Sequence, residues 1–385
     1  MDKVKILFVV NAFGTASGAE HVLVDFLKSE ERIEPFFLIV GDHKDVPNTF
    51  LSVIDKSNIV YIDICSKIQT RISRLMCYRF FRHILLKKIK RNPLYIDLNN
   101  RKDIQTVYFN NSFESSVFYP LFPHKAKVVH IHDMIDMFRL AQRECLVSVC
   151  KSVSQIITVS YACKEMLAKH GINPQKIAVA HNSISLQPEP YITKDNNILT
   201  IGFVGSAIYR KGFDLFVSII NRIQGEINAR SIYKDFSVLV ITNSDSNNPY
   251  LCENISKLDG RIKKQIYSKI DREMVFSLYK EMDMLLVPSR YDPLPTVVLE
   301  GYMKGVPVLG TAKDGMLEMQ ISNAMMFKNE DVEDAVASIF RWLNLPSDEK
   351  KTIVEKTQQH IMQEFTEQNK REIIYDAIEN VRGKK

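Results

Sequence analysis

The chain has 385 residues, a length that favours two domains over a single hydrophobic core. Its formal charge of +6 and its pI near 8.8 are mildly basic, so they suggest an acidic ligand or surface without requiring nucleic acid. The six cysteines form no C-x-x-C pair and no metal-ligand spacing, which favours buried free thiols in a reducing compartment. They are Cys65, Cys77, Cys145, Cys150, Cys163 and Cys252.

The apolar runs of the chain are short. The first, Lys5 to Val10, is too short for the hydrophobic region of a signal peptide and continues directly into a glycine loop. No run approaches the ~20 apolar residues that a membrane-spanning helix needs. We therefore expect a cytoplasmic protein, with peripheral contact at the inner face of the cell membrane as an open alternative.

Runs with strand character recur through the N-terminal half and alternate with helical stretches. This alternation is typical of a doubly wound α/β domain with a mostly parallel sheet. The predicted strands are Lys5–Val10, Pro35–Val40, Ile59–Ile64, Thr106–Asn110, Lys127–His132, Gln155–Ser160 and Lys176–Ala180.

Two glycines, Gly14 and Gly18, lie in the loop between the first strand and the first helix. Free backbone amides at such a loop, together with the helix N-terminus, bind an anion or a sugar hydroxyl. The spacing is not G-x-G-x-x-G, so an ordinary turn between strand and helix is an equally good interpretation.

The segment 67–91 is basic and contains no acidic residue. Three interpretations are open: contact with an anionic membrane, with each basic residue contributing roughly 1 kcal/mol, a solvated basic face, or a loop that orders with its acceptor. Nucleic-acid binding is disfavoured because no nucleic-acid motif accompanies the charge. The basic residues include Arg71, Arg74, Arg79, Arg82, Lys87, Lys88, Lys90 and Arg91, and aromatic and aliphatic residues lie among them.

Two histidines alternate at the end of one predicted strand, in the stretch VVHIHDM. Because alternate residues share one face of a strand, His130 and His132 point the same way, and His132 with Asp133 lies where the strand ends. Ligands of parallel sheets bind at this carboxyl end. We therefore select His132 as a candidate site residue and interpret His130 as structural. No third ligand is spaced to complete a zinc site.

A polar, proline-rich stretch, residues 188–197, suits a linker between two domains. Beyond it a buried strand ends at Gly205, and a helix with regularly spaced apolar residues begins at Gly212. Arg210 and Lys211 lie at the entrance of this helix, where the helix dipole and the open amides favour an anion. This arrangement can bind a diphosphate without a metal. Two solvated surface cations are the alternative.

The most specific stretch is Val287–Gly310, which reads VPSRYDPLPTVVLEGYMKGVPVLG. A strand enters it, and Pro293 and Pro295 forbid continuation of that strand. The apolar spacing then predicts a helix from Leu294 to Lys304 and a second strand from Val306 to Leu309. Such a βαβ unit places ligands at the carboxyl end of its strand. Asp292 in the loop and Glu300 in the helix mark that end.

This stretch resembles the acid-x7-Glu motif of retaining glycosyltransferases of family 4, which have the GT-B fold. The shared features are PS, an acid, seven residues, Glu, a small residue and G-x-PV. The resemblance implies an α/β architecture of two Rossmann-like, doubly wound parallel-sheet domains facing across a cleft. It implies an acceptor-binding domain over 1–190, a nucleotide-sugar-binding domain over 191–365, and a final helix over 366–385 that crosses back to the N-terminal domain.

The resemblance also implies roles for the residues of the motif. Asp292, with the amides of Leu294 and Thr296 on either side of Pro295, binds the donor sugar, and Glu300 binds the nucleotide ribose. Here the first acid is Asp292 where the family usually has glutamate, so its carboxylate reaches one methylene less far.

Further positions match the family outside this motif. Gly14 and Gly18 fall in its first glycine loop, Gly205 and Lys211 in its phosphate loop, and Tyr267 near the loop that covers the nucleobase. His132 lies where the family has a histidine close to the donor sugar and the acceptor. Ser206 replaces the family's arginine, and we expect Arg210 to supply that guanidinium.

We predict an enzyme, a retaining hexosyltransferase that uses a nucleotide-diphosphate sugar and needs neither a metal nor a cofactor. The predicted acceptor is a saccharide, lipid-linked or part of a cell-envelope polysaccharide such as lipopolysaccharide. The predicted catalytic residues are His132, Asp292, Lys211 and Arg210. Two alternatives remain: another GT-B enzyme, such as a sugar-nucleotide epimerase or an inverting transferase, and a non-catalytic partner protein that binds nucleotide sugar.

Overall fold

A computed structural model describes residues 3–12, 18–41, 55–63, 79–194, 198–230 and 235–382. By its internal contacts the chain divides into two units. Unit 1 comprises Met1–Asn182 and Glu367–Lys385, and unit 2 comprises Ser183–Thr366. The predicted first boundary, after residue 190, lies inside unit 2. Gly14 lies outside the described residues, as does the part of the basic segment before Arg79.

Unit 1 is built on a parallel sheet whose described strands follow the order β3-β2-β1-β4-β5-β6-β7. The chain winds outward from β1 to one side and from β4 to the other, so the sheet is doubly wound as expected. The strands are β1 Val4–Ala12, β2 Ile33–Gly41, β3 Ile59–Asp63, β4 Thr106–Phe109, β5 Ala126–Ile131, β6 Gln155–Thr158 and β7 Ile177–Val179. The helices before residue 183 are α1 Gly18–Ser29, α2 Arg79–Lys90, α3 Pro93–Asn100, α4 Ser112–Phe118, α5 Leu140–Ser152 and α6 Tyr161–Lys169.

Unit 2 repeats the plan with a second parallel sheet, whose described strands follow the order β10-β9-β8-β11-β12-β13. Its strands are β8 Ile198–Val204, β9 Asp235–Thr242, β10 Lys263–Ser268, β11 Met284–Val287, β12 Val308–Thr311 and β13 Met326–Phe327. Its helices are α7 Phe213–Arg230, α8 Pro249–Ser256, α9 Arg272–Leu278, α10 Thr296–Met303, α11 Met316–Met319, α12 Val332–Leu343 and α13 Ser347–Glu364.

The last helix, α14, spans Glu367–Arg382 and returns to unit 1. Its apolar face joins the core formed by β1 and α1, because Ile374 and Ile378 are buried in the same cluster as Phe8. Arg32, which follows α1, stacks 3.8 Å from the ring centre of Tyr375 and adds a polar tie to this helix. The C-terminal segment is therefore part of the core of the first α/β unit.

The βαβ stretch of unit 2 ends its helix with two hydrogen bonds that the sequence did not predict. The amide of Gly305, whose φ is +71°, bonds the carbonyl of Tyr302, and the amide of Val306 bonds that of Gly301. This pattern is a Schellman motif. Because it uses Val306 and because Pro307 lacks an N–H, β12 begins at Val308 and not at Val306 as predicted.

The helix of this stretch also begins later than predicted, at Thr296 and not at Leu294. The residue before a proline is disfavoured in the helical region, and Leu294 precedes Pro295, which lies at the N-cap position. The first turn of α10 therefore faces the loop that carries Asp292.

Gly212 connects a short 3-10 turn, Tyr209–Lys211, to α7 and has a left-handed conformation with φ +69°. A Cβ atom here would lie 1.9 Å from the carbonyl oxygen of Pro288, at the end of β11. Both the φ value and the close approach of the backbone of the β11 segment therefore require glycine at this position.

We expect Gly212→Ala to lower the free energy of unfolding by about 2 kcal/mol or more, because strain and a steric clash add. Gly225→Ala is the matched control, since Gly225 lies inside α7 with open space around its Cβ position. That control should stabilise the protein by about 0.5–1 kcal/mol. Urea unfolding of both variants measures the difference, and equal stability of the two would contradict the close contact with Pro288.

Candidate functional site

The strand order of unit 2 reverses between β8 and β11, and ligands of open α/β sheets bind outside the carboxyl ends of the strands at such a point. The loop after β8 contains Gly205, Ser206, Arg210 and Lys211, and the segment 288–295 follows β11. Most of the residues predicted for the site thus lie on the two loops that follow β8 and β11, between which the strand order reverses.

The loop after β8 is held by hydrogen bonds to residues at and just after the end of the neighbouring strand β9. The amide of Ala207 donates to the Oγ1 of Thr242 at 3.2 Å and to the Oγ of Ser244 at 3.0 Å. Gly205, with φ +143°, turns the chain out of the sheet, and the half-buried Ser206 follows it. The loop is fixed at its base, while its later part carries the two cations.

Lys211 and Asp292 form the direct contact between the two loops. The Nζ of Lys211 lies 2.5 Å from Oδ2 of Asp292, whose side chain is 9% exposed. Ser289 donates to the same oxygen at 3.3 Å, and the Asp292 amide donates to the carboxylate of Asp314 at 3.3 Å. A cation predicted to bind the donor phosphates and an anion predicted to bind the donor sugar therefore form an ion pair with each other.

The other loop residues surround this ion pair. Arg210 donates from Nη1 to the carbonyl of Tyr291 at 3.2 Å, so its guanidinium lies against the segment that carries Asp292. Leu294 is buried, and Thr296 is exposed at the start of α10. Pro295 makes no side-chain cap for that helix. The positive end of α10 therefore remains open to an anionic or hydroxyl ligand.

Glu300 lies in the middle of α10 with its side chain 13% exposed. The hydroxyl of the buried Tyr279 donates to its Oε2 at 3.0 Å, and an Nη of Arg272 lies 3.7 Å from its Oε1. Burial raises the pKa of Glu300 even though the Arg272 charge and the Tyr279 bond act in the opposite direction. A buried carboxylate with few partners is well suited to accept hydrogen bonds from neighbouring hydroxyl groups.

Tyr267 lies in β10, at the edge of the sheet, opposite Ile241 of β9. It is half-buried, and β10 ends one residue later at Ser268. The tyrosine therefore lies near the carboxyl end of its strand but two strands away from β8.

Arg290 was not among the predicted residues. Its side chain is 6% exposed and bonds both oxygens of Asp214, at 2.7 and 2.8 Å, and Oε1 of Glu330, at 2.6 Å. Burial alone would raise the pKa of Asp214, but the hydrogen bonds from Arg290 lower it. No sequence periodicity marks such a residue, since its two acidic partners lie 76 and 40 positions away.

His132, the predicted site residue of unit 1, directly follows β5, and its ring centre lies 3.9 Å from that of His130. His130 is buried, and its Nδ1 lies 2.6 Å from the hydroxyl of Tyr108, which fits the structural interpretation. Although part of His132 is exposed, its Nε2 is buried and has no hydrogen-bond partner.

The electrostatics keep both histidines neutral. Burial, the charge of Lys370 on α14 and a partly opposing hydrogen bond to the Asn110 backbone set the pKa of His132 to about 3. Burial, His132 and Lys370 lower the pKa of His130 well below its usual value. Because the hydrogen bond to Asn110 favours the protonated ring, the ring donates to that carbonyl, and the other nitrogen, Nε2, is then an acceptor.

Asn110 and Ser112, which follow β4, add two more unsatisfied polar atoms to this end of the sheet. Asn110 donates its amide to the carbonyl of Ala19 in α1 at 3.0 Å, while its Oδ1 is buried without a partner. The Oγ of Ser112 is also buried and unpaired. Buried polar groups normally have partners, so these unpaired atoms are candidates for hydrogen bonds to a hydroxyl-bearing ligand.

The basic segment forms α2 from Arg79 onward. Leu85, Leu86 and Ile89 are buried, whereas Lys87 and Lys88 are exposed. Within the described ranges, no helix is long and apolar enough to cross a membrane. Among the same residues, no group of three His, Cys, Asp or Glu side chains is arranged to hold a metal ion.

Residues 190–360 match the family model described as glycosyl transferases group 1, and residues 68–187 match the one described as glycosyltransferase family 4. The crystal structure of HepE from Anabaena in complex with UDP-glucose is similar in fold, with a TM-score of 0.70 and 15% identity over 98% of this chain and 99% of that one. The predicted GT-B fold class, with two parallel-sheet α/β domains, is confirmed.

Two curated relatives match about half of the chain. An uncharacterized glycosyltransferase of Methanocaldococcus jannaschii is 24% identical over 205 residues, 52% of this chain and 49% of its own length. The gpi3 subunit of phosphatidylinositol N-acetylglucosaminyltransferase from Schizosaccharomyces pombe is 23% identical over 195 residues, 49% of this chain and 41% of its own length. The match thus spans less than half of each relative.

We expect Glu300→Gln to stabilise the protein at neutral pH. A carboxyl group whose pKa is raised by folding lowers stability as the pH rises from its unfolded pKa through its folded pKa. The glutamine removes this penalty, so its gain in melting temperature at pH 7.5 should disappear near pH 4. Glu253→Gln, at an exposed carboxylate, should change stability by less than about 0.5 kcal/mol at either pH. A Glu300→Gln variant less stable than the original at pH 7.5 would contradict the cost of burial.

Proposed function

We propose that this chain transfers a sugar with retention from a nucleotide-diphosphate donor to a saccharide acceptor. The proposal proceeds from its membership of the glycosyltransferases, with a group 1 domain over residues 190–360 and a family 4 domain over residues 68–187. The observation that carries the proposal is the contact of Lys211 with Asp292 at the point where the strand order of unit 2 reverses.

The donor phosphates bind at the loop after β8 in this proposal. Cleavage of the donor leaves negative charge on the diphosphate, and Arg210 and Lys211 stabilise that charge as it develops. The open N-terminus of α10 adds its positive end. These groups supply the electrostatic stabilisation without a metal, and we propose that none is required.

In this proposal Lys211 changes partner when the donor binds, because its ammonium is paired with Asp292 in this structure. Once a phosphate oxygen replaces that contact, the Asp292 carboxylate is free to accept hydrogen bonds from the sugar hydroxyls. The amides of Leu294 and Thr296 lie on the same segment and hold the sugar from one side. Donor binding therefore converts one internal ion pair into two ligand contacts.

Glu300 binds the ribose of the donor in this proposal. Its buried carboxylate accepts a hydrogen bond from the Tyr279 hydroxyl and lies 3.7 Å from the Arg272 guanidinium, so it can accept further hydrogen bonds from the ribose hydroxyls. Tyr267 packs near the nucleobase in this arrangement. HepE was solved with UDP-glucose, which makes the uridine diphosphate sugars the first donors to test.

In unit 1, His132 is proposed to bind a hydroxyl group of a sugar substrate. His132 is neutral at physiological pH, and its Nε2 accepts a hydrogen bond, so a sugar hydroxyl is a better partner for it than an anionic phosphate. No residue is proposed as a covalent nucleophile. The leaving phosphate itself takes the proton of the acceptor hydroxyl on the face from which it departs.

The acceptor is proposed to be lipid-linked or part of a cell-envelope polysaccharide, presented at a membrane. Support comes from α2 and the residue that follows it: Lys87, Lys88 and Lys90 of the helix and Arg91 after it are exposed, and the apolar Ile84 is 50% exposed on the same helix. Anionic lipid attracts such a basic surface, and an exposed apolar residue can enter the headgroup region.

One prediction concerns the donor. We expect one nucleoside diphosphate, and the nucleotide sugar that contains it, to raise the melting temperature in EDTA as well as in magnesium. Lys211→Met should bind this nucleotide on the order of 10- to 100-fold more weakly, because a hydrogen bond to a charged group contributes about 1.5–3 kcal/mol. A panel of nucleotides and nucleotide sugars in a thermal-shift assay tests this, with isothermal titration for the affinity.

Lys257→Met is the matched control, because Lys257 pairs with the carboxylate of Glu253 on the exposed end of α8. It should bind the nucleotide as the original does. A shift that appears in magnesium alone would contradict metal independence. No shift with any nucleotide, while a known binder of another protein confirms the assay, would favour a degenerate, non-catalytic protein that binds a partner instead of a nucleotide sugar. Nucleotide release without an acceptor would favour an epimerase or a hydrolase.

A further prediction concerns the membrane. We expect the protein to co-sediment with phosphatidylcholine vesicles that contain about 30% phosphatidylglycerol. The double variant Lys87→Ala with Lys88→Ala should bind these vesicles roughly 30-fold more weakly, since each basic residue contributes about 1 kcal/mol. Lys351→Ala with Lys356→Ala on α13 removes two exposed lysines elsewhere and should leave sedimentation unchanged. Equal loss in both double variants, or no binding to anionic vesicles, would count against α2 as the contact.

A further inference from the structure

We propose that Arg290 is a positioning residue that holds the loops of the donor site in their working arrangement. This inference rests on the proposed function. Arg290 lies two residues before Asp292 in the loop after β11, and its guanidinium is almost completely buried. It points away from Asp292 toward other segments, so it acts through the residues that it holds.

The guanidinium bonds three segments at once. Nη1 donates to Oδ1 of Asp214 at 2.7 Å and to the carbonyl of Tyr209 at 2.8 Å, Nη2 donates to Oδ2 of Asp214 at 2.8 Å, and Nε donates to Glu330 at 2.6 Å. Four of the five N–H groups of arginine are thereby used. The Tyr209 ring also stacks on the guanidinium, with 3.8 Å between the ring centre and Cζ.

The backbone of Arg290 adds two further bonds in the same region. Its amide donates to the carbonyl of Arg210 at 2.9 Å, and its carbonyl accepts from Nζ of Lys313 at 3.0 Å. One residue thus connects the loop after β8, the start of α7, the turn after β12 and the turn after β13. These bonds connect the loop that carries Arg210 and Lys211, proposed to bind phosphate, to the loop that carries Asp292, proposed to bind sugar.

The partners of Arg290 are themselves constrained. Glu330 has φ +61°, a conformation that non-glycine residues seldom adopt, and such strain persists where surrounding contacts hold it. Asp214 also accepts from the hydroxyl of Tyr250 on α8 at 2.9 Å. A buried cation with two carboxylates is costly to desolvate, so a simple packing role would be met equally well by an apolar side chain. The geometry of the fork favours a role in alignment.

Arg222 provides a matched control. It lies on α7 and also bonds two carboxylates, Glu226 at 2.6 Å and Glu333 at 2.9 Å, but its side chain is 41% exposed and both partners lie on helices, α7 and α12. Removal of Arg222 therefore deletes an arginine with two acidic partners from the same unit without touching the loops in question.

The experiment compares Arg290→Ala, Arg290→Lys and Arg222→Ala by hydrogen exchange in the ligand-free protein. We expect the amides of segments 208–212 and 328–332 to exchange about tenfold faster or more in both Arg290 variants, since lysine keeps the charge but cannot form the fork. Arg222→Ala should leave both segments unchanged. Addition of ethylguanidinium should restore slow exchange in Arg290→Ala and not alter Arg290→Lys.

Kinetics with the nucleotide sugar found in the thermal-shift panel form the second readout. We expect kcat to fall about tenfold or more in Arg290→Ala, with a smaller change in KM and partial recovery with ethylguanidinium, because misplacement of the reacting groups lowers the rate more than binding. Unchanged exchange, or an unchanged kcat in a folded Arg290→Ala protein, would overturn the proposal. If Arg290→Ala does not fold, Glu330→Gln, at a half-exposed partner, decides the same two questions.

Failure of the proposed function has a different result. In that case the original protein would turn over no nucleotide sugar, while the exchange measurement would still report whether Arg290 holds the loops. If the original protein is inactive but the Arg290 variants exchange faster, the positioning role of Arg290 is supported and the proposed function is refuted. If the original protein is active but the Arg290 variants show unchanged exchange and kcat, the proposed function is supported and the positioning role is refuted.

Discussion

The ion pair between Lys211 and Asp292 joins the two loops of unit 2 between which the strand order reverses. Its formation depends on backbone features on both sides. Gly212 lets the 3-10 turn pass within contact distance of Pro288, and the hydrogen bonds of Arg290 hold the later loop against that turn. Because each charge pairs with the other, neither is left as a buried unpaired charge, and a ligand with a phosphate and hydroxyl groups can replace both contacts.

Unit 1 uses the opposite electrostatic arrangement at the carboxyl ends of its strands. Its polar groups there are neutral, because burial and the Lys370 charge disfavour protonation of His130 and His132. Asn110 donates to the carbonyl of Ala19, and both its Oδ1 and the Nε2 of His132 are buried without a hydrogen-bond partner, so both can act as acceptors. A charged site in unit 2 and an acceptor-rich neutral site in unit 1 suit, respectively, the phosphate and the hydroxyl groups of the substrates that we propose.

The helices and strands were predictable because the spacing of apolar residues and the positions of glycines depend on the local backbone conformation. The strands of unit 1 lie close to their predicted places, and the errors in the βαβ stretch of unit 2 occur at helix and strand ends, which helix capping and proline geometry decide. Val306 is apolar, like the strand residues that follow, yet its amide closes the cap of α10, so β12 begins later. Leu294 has the spacing of a helical residue, but the proline after it excludes the helical conformation.

The sequence by itself determined the α/β class, the family resemblance and the motif residues Lys211, Asp292 and Glu300, because each depends on residue type at short spacing. Tertiary structure alone decided that Lys211 and Asp292 pair across 81 positions, that Glu300 is buried beside Tyr279, and that Arg290 bonds three segments. The physical reason is that charge, burial and hydrogen-bond partners are set by what the folded chain brings together, and neither periodicity nor spacing in one sequence contains that information.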